Sequence, residues 1–186
     1  MRGPVSVQEH KAQAPAAAAI RVNVVTVSDT RTALTDEGGR LAADLCRAAG
    51  YQVVGGAILP DDAARIRDHV QELAQGGQVQ VTLVTGGTGI SRRDNTPEAL
   101  AGLFAKTLPG YGELFRALSF AEIGAAAMLS RAAAGTVGEM MVFTLPGSPA
   151  AVRLALERLI LPELPHIVSQ LQRQAHHEHR PHHHGK

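Results

Sequence analysis

Tryptophan is absent from the 186 residues, cysteine occurs once, and two tyrosines and four phenylalanines complete the aromatic content. A lone thiol, Cys46, closes no internal disulfide and builds no cysteine-based metal site. Its place on the apolar face of a predicted helix marks it as a small core residue. An excess of one charge is also missing. With 18 basic against 17 acidic residues, the chain carries no electrostatic footprint for nucleic acid or an anionic membrane. No apolar run approaches the roughly 18 residues of a membrane span. The opening "MRGPVSVQEHKAQAPAAAAI" is interrupted by charges and prolines and does not read as a secretory signal. A cytoplasmic protein is the expectation. Lysine is scarce as well: Lys11, Lys106 and Lys186 stand against 15 arginines. The arginine fork suits phosphate and carboxylate, although a compositional bias of the host genome accounts for it equally well.

What remains is an ordinary globular composition, 45% hydrophobic and 19% charged, at a length that fits one domain with a real core. Residues 1–19 are Ala/Pro/Gln-rich without periodicity and read as a flexible arm, 20–172 as the domain, and 173–186 as a His-rich tail. The tail's His176, His177, His179, His182, His183 and His184 allow two readings, a transition-metal trap or a solvated end.

Between the tails, strand and helix signals alternate. "RVNVVTVS" (21–28), "YQVVGGAILP" (51–60), "VQVTLVT" (79–85) and "MMVFTLP" (140–146) are apolar, β-branched runs of the kind buried on both faces. Helical spacing marks 36–50, with Leu41, Leu45, Ala48 and Ala49 inward, and 61–77, with Ile66, Val70, Leu73 and Ala74. A helix capped by Thr96 with Pro97 first is expected to carry Leu100, Leu103, Phe104, Thr107 and Leu108. A break at "PGYG" (109–112) precedes a helical run from Glu113 to Ala132. Two more helices follow, one capped by Ser148 and a short last one slowed by Pro162 and Pro165. The first three strands start about thirty residues apart, the length of a βαβ unit. The pattern predicts a single α/β domain of three layers, α/β/α, around a mostly parallel sheet.

In such a sheet, ligands bind outside the carboxyl ends of the strands. Four strand ends are equipped for it: Ser28-Asp29-Thr30-Arg31, Pro60-Asp61-Asp62, Thr85-Gly86-Gly87-Thr88-Gly89 and Pro146-Gly147-Ser148-Pro149. The glycines lack the lysine of a P-loop and the third glycine of a dinucleotide fingerprint, which counts against a nicotinamide-dependent dehydrogenase. They form either a plain turn or a nest of amides for an anion. Arg92 and Arg93 beside them imply phosphate or carboxylate. Asp94 would repel such an anion unless a cation lay between, and Mg²⁺ binds in that way, with Asp61 as the second carboxylate. For each acid a plainer reading stands beside this one: Asp94 pairs with Arg92 or Arg93, and Asp61 caps the next helix. Gly147 and Ser148 offer a second anion site or a simple cap.

"TGGTGISRRDNTPEAL", "PGYGELFR", "LSR" and "LPGSP", in this order and spacing, resemble the molybdenum-cofactor biosynthesis family of MoaB and MogA. Gephyrin and the plant molybdopterin adenylyltransferases carry the same domain. "VTVSDTR" and "ILPDD" fit too, and the resemblance spans about residues 20–172. It implies a molybdopterin-binding fold, usually trimeric and hexameric in the MoaB branch, that uses Mg-ATP to adenylylate the terminal phosphate of molybdopterin. Carried over by position, the essential aspartates are Asp61 and Asp94. Ser28, Asp29, Thr85, Gly86, Gly87, Thr88, Gly89, Arg93, Pro146, Gly147 and Ser148 would line the pterin and nucleotide sites. Other enzymes of the same biosynthesis are implied as partners. Asn95 stands where the family more often has Val or Thr. The alternative on the same fold is a non-catalytic molybdopterin carrier.

Overall fold

Six consecutive buried positions, Val22 to Val27, fit β1 (Arg21–Val27) as an interior strand of the sheet in the computed structural model, which describes residues 15–178. Continuous Val-rich burial is what a parallel strand covered on both faces requires. After β1 come α1 (Glu37–Ala48), β2 (Gln52–Leu59), α2 (Ala63–Gly76), β3 (Val81–Thr85) and α3 (Thr96–Ala101). The second half holds β4 (Lys106–Thr107), α4 (Pro109–Ile123), a 3₁₀ segment (Gly124–Leu129), β5 (Ala133–Val137), β6 (Met140–Leu145), α5 (Pro149–Ala155) and α6 (Leu161–Glu178). The sheet order is β2-β1-β3-β6-β5-β4. β2, β1, β3 and β6 run parallel, as expected, and β5 and β4 are antiparallel additions at one edge.

Two cores confirm the three layers. One face packs Cys46, Tyr111, Phe115, Val152 and Leu156 against Val22, Val24 and Phe143, so α1, α4, α5 and α6 lie there. The other packs Ile66, Val70 and Leu100 against Val25, Val27 and Val84, beneath α2 and α3. Cys46 is a core residue, and burial pushes its thiol up to about 12. The chain crosses from β2 past β1 to β3, which places the reversal of strand order at the carboxyl ends of β1 and β3.

Several expectations are corrected. In α1 the buried stripe is Gly38, Gly39, Ala42 and Cys46, while Ala48 and Ala49 face solvent. The helix after Thr96 ends at Ala101, and Asn95 rather than Thr96 occupies its cap position. Leu103 and Phe104 still pack inward, but from a loop that leads into β4. "PGYG" is no break: Pro109 is the first residue of α4, where its missing N–H costs nothing. The helical run stops at Gly124 (φ 63°) instead of Ala132, and the chain re-enters the sheet as β5. Strand β5 went unread because "AAGTV" has little β-branching. Its Gly135 is required by space, since an added Cβ would stand 2.7 Å from the Lys106 carbonyl and against the Phe104 ring. Gly138 (φ 57°) then turns the β5–β6 hairpin, a conformation open to glycine at that position.

Pro162 and Pro165 do not slow the last helix. A π-helical turn, Leu156–Ile160, joins α5 to α6 without a gap. Pro165 cannot donate to the carbonyl of Leu161, and the Tyr51 hydroxyl donates to it instead at 2.8 Å. Residues 1–14 of the expected arm and the tail's histidine side chains lie outside the described residues. Among the described residues no helix is long and apolar enough to cross a membrane.

Candidate functional site

The four equipped strand ends share one rim because β2, β1, β3 and β6 are adjacent and parallel. The loop after β3 divides that rim. Gly86 (φ 93°) and Gly87 (φ 62°) turn the chain away from the sheet. A Cβ on Gly87 would meet Thr96 Oγ1 and stand 2.9 Å from Asp61 Oδ2, so glycine is demanded by both conformation and space. Gly86 spends its N–H on the Leu145 carbonyl (2.9 Å). Among the described residues no acceptor takes the N–H groups of Gly87, Thr88 or Gly89. Three amides in succession are thus free to receive an anion, in keeping with the nest.

On the β2 side of the loop lies an open polar cleft of about 520 Å³, lined by Asp29, Asp61, Asp62, Arg65, Arg92, Arg93 and Asn95. Asp61 does not cap α2; Asp62 does, accepting from Arg65 N at 3.0 Å. Asp61 Oδ1 instead accepts from Asn95 N (2.9 Å), and Asn95 Nδ2 donates to the Asp61 carbonyl (3.2 Å) and the Arg93 carbonyl (3.1 Å). Burial holds the Asp61 carboxyl above the usual carboxylate range, the Asn95 amide works against this, and the charges of Asp94 and Asp29 add to the rise. Asp61 and Asp94 therefore feel each other electrostatically.

Asp94 pairs with neither neighbouring arginine. Its Oδ2 accepts from Ser91 N at 2.7 Å, and it lies against Gly89, where a Cβ would stand 2.8 Å from the same oxygen. Arg93 reaches across to Asp29 Oδ2 at 3.2 Å, while Asp29 Oδ1 accepts from Asp61 N at 3.1 Å. The arginine of that pair is 77% exposed, so the contact is worth about 0–1 kcal/mol and a stronger anion can displace it. Among the described residues Arg65 and Arg92 pair with no carboxylate. Asp61 Oδ2 and Asp94 Oδ1 likewise accept no hydrogen bond from the described residues.

On the β6 side a second cleft of about 250 Å³ is mostly apolar, with Phe115, Ile123, Ala127 and Leu129 facing Thr88, Gly89, Pro146 and Ser148. Ser148 caps α5, accepting from Ala151 N at 3.4 Å, and also lines this cleft, so its two readings coexist. Gly147 packs on Gly86 (a Cβ would stand 3.3 Å from its Cα), joining the β6 end to the dividing loop. Ser28 Oγ accepts from Thr30 N and Arg31 N, both at 3.2 Å, and shapes the β1 end. Thr85 is fully buried, its hydroxyl donating to Thr26 at 3.4 Å, and it lines neither cleft.

Two residues escaped the sequence reading. Asn95 was noted only as unusual, yet its amides hold Asp61 in place. Arg131 sat inside a quoted motif, and nothing local to "LSR" announces that its side chain crosses to the glycine loop.

The model of a probable molybdopterin-binding domain matches residues 23–166. Molybdenum cofactor biosynthesis protein B of Bacillus cereus is 49% identical over 171 residues, covering 91% of this chain and all of that one. The Bacillus subtilis protein of the same name is 45% identical, covering 91% and 99%. The chain belongs to the molybdenum cofactor biosynthesis protein B family. Among solved structures, one described as molybdenum cofactor biosynthesis protein B superposes with a TM-score of 0.79 at 48% identity, covering 83% of this chain and 97% of that one. The tungsten cofactor synthesizing protein MoaB from Pyrococcus furiosus superposes with 0.73 at 38% identity, covering 82% and 97%. This family member thus shares the fold of its relatives over nearly their whole length.

Proposed function

We propose that the protein serves molybdenum cofactor biosynthesis by moving the adenylyl group of ATP onto the terminal phosphate of molybdopterin, with release of pyrophosphate. The observation that carries this reading is the pairing of clefts. A polar cleft rich in arginine and aspartate and an apolar cleft fit for a heterocycle are lined by different parts of one loop, Arg92, Arg93 and Asn95 on the polar side and Thr88 and Gly89 on the apolar side, and the amides of Gly87, Thr88 and Gly89 are unengaged.

In this reading the pterin lies in the apolar cleft against Thr88, Pro146 and Ser148, and its phosphate meets the amides of Gly87, Thr88 and Gly89. The triphosphate lies in the polar cleft, with Arg65, Arg92 and Arg93 as its counter-charges. A phosphate oxygen of the pterin attacks the α-phosphorus in line, the bond to the bridging oxygen of the β-phosphate breaks, and pyrophosphate leaves. No protein nucleophile is needed. Asp61 and Asp94 each keep a carboxylate oxygen free of protein donors, a hard-oxygen set that fits Mg²⁺ completed by phosphate oxygens. When bound there, the ion offsets the charge of the phosphates. The residues' own work is to orient the two substrates and hold the acids in place.

The exposed apolar side chains of α4 and the segment after it, Leu114, Phe120, Ile123, Met128 and Leu129, suit contact with further copies in a homotrimer or hexamer. A cytoplasmic setting agrees with substrates that are soluble phosphates. Mixing the purified protein with molybdopterin and Mg-ATP and measuring pyrophosphate tests the reading. Pterin binding without pyrophosphate would leave a carrier.

A further inference from the structure

Arg131 stands two residues before β5 and reaches the dividing loop through its backbone N–H, Nε and Nη2 and the following helix through Nη1. Its backbone N–H donates to the Thr88 carbonyl at 3.2 Å. Its Nε donates to the Gly89 carbonyl at 2.8 Å and its Nη2 to the Asp94 carbonyl at 2.8 Å. Its Nη1 pairs with Glu98 in the first turn of α3. The contacts fall on both ends of the stretch that carries Asp94. The base of the loop is closed separately, where Thr96 N donates to the Gly87 carbonyl (3.1 Å) and Thr96 Oγ1 to the Gly86 carbonyl (2.9 Å), while Ser91 N and Asp94 N bond only within the stretch.

We propose that Arg131 is a positioning residue, a latch that fixes the loop from Thr88 to Asp94 and with it the Asp94 carboxylate. The proposal rests on the functional reading above only for the purpose of the latch, not for its existence. The planar fork is what allows one side chain to serve two carbonyls and a carboxylate at fixed angles. A lysine supplies the same charge from a single point and cannot span them. The anchor is firm because β5 pairs with β6, and β6 with β3, from which the loop departs. Arg131 lines neither cleft itself but bonds Thr88 and Gly89 of the apolar lining as well as Asp94, so its effect on chemistry passes through the loop.

Hydrogen exchange on the full chain reads the latch directly. In Arg131→Lys the hydrogen-bonded amides of Ser91 and of residues 93–96 should exchange roughly tenfold faster, with those of β1 and β3 unchanged. Glu98→Gln, which removes one arm only, should change them by about threefold or less. The same Arg131→Lys protein should need roughly tenfold more Mg²⁺ for half-maximal transfer. Loop exchange equal to wild type overturns the latch. So does a loss of protection that spreads through β1 and β3, which would make the arginine a general stabiliser. A wild-type chain that releases no pyrophosphate sinks the functional reading, and the exchange comparison still decides the latch.

Discussion

On one side of the glycine loop stand three arginines and three aspartates around an open cleft, and on the other Phe115, Ile123 and Leu129 around a smaller one. Both use the carboxyl ends of parallel strands, and both borrow the same loop as a wall. They differ in how their side chains are held. The polar side is built from hydrogen bonds among loop residues, Ser91 to Asp94 close in sequence and Asn95 to Asp61 across 34 residues, with an exposed ion pair that is cheap to break. The apolar side is built from α4 and the segment after it, anchored by core packing of Tyr111 and Phe115 against Phe143. On the proposed reading, the charges that follow the reaction are held by contacts that exchange cheaply, and the ring lies against a packed helix.

The largest effect expected is that of Asp94→Asn on transfer. Pyrophosphate release should fall by about 10²-fold or more, while molybdopterin affinity measured by fluorescence titration stays within about twofold. Equal loss of both would erase the division of labour. Next, Gly87→Ala attacks the shared wall. Its positive φ and the crowding by Thr96 and Asp61 should cost about 1–3 kcal/mol in denaturant unfolding and weaken both ligands together. Ala126→Trp, on the apolar lining alone, should weaken pterin binding about tenfold by calorimetry and leave Mg-ATP binding untouched.

A smaller effect is expected from pH. Burial holds the native carboxyl of Asp61 above its unfolded value. Its contribution to stability is therefore present below the unfolded carboxylate range and lost as pH rises through the raised native value. At neutral pH the ionised group is a slight liability. Asp61→Asn should melt a little above wild type near pH 7, and the gap should close as the pH is lowered through the carboxylate range. Arg93→Ala ranks last for stability, with a change below about 0.5 kcal/mol, since it removes one exposed ion pair. Its ATP KM should nevertheless rise, and a KM equal to wild type would remove Arg93 from the nucleotide's counter-charges.

The same contrast explains what could be read in advance. The parallel strands were legible because Val22–Val27 and Val81–Thr85 are dominated by β-branched, mostly apolar residues, and that signal is local. The polar rim was legible because each strand end announces itself by Gly, Asp or Ser. β4 and β5 were not, because two residues and the pentad "AAGTV" gain their strand character only by pairing, β4 with β5 and β5 with β6. Thr85 was misjudged for a related reason: strand alternation turns it into the core, toward Thr26, and period alone does not say where a strand stops facing inward. Asn95 and Arg131 act across 34 and 42 residues of sequence, on Asp61 and Gly89, and no spacing rule reaches that far.

Cys46 gives the molecule a built-in reporter. Fully covered beneath the first helix and held far from its thiolate form, it is invisible to alkylating dyes while the core is closed. Each labelling event counts one opening of that core, so the rate of dye uptake, followed over denaturant, clocks global unfolding without any added probe.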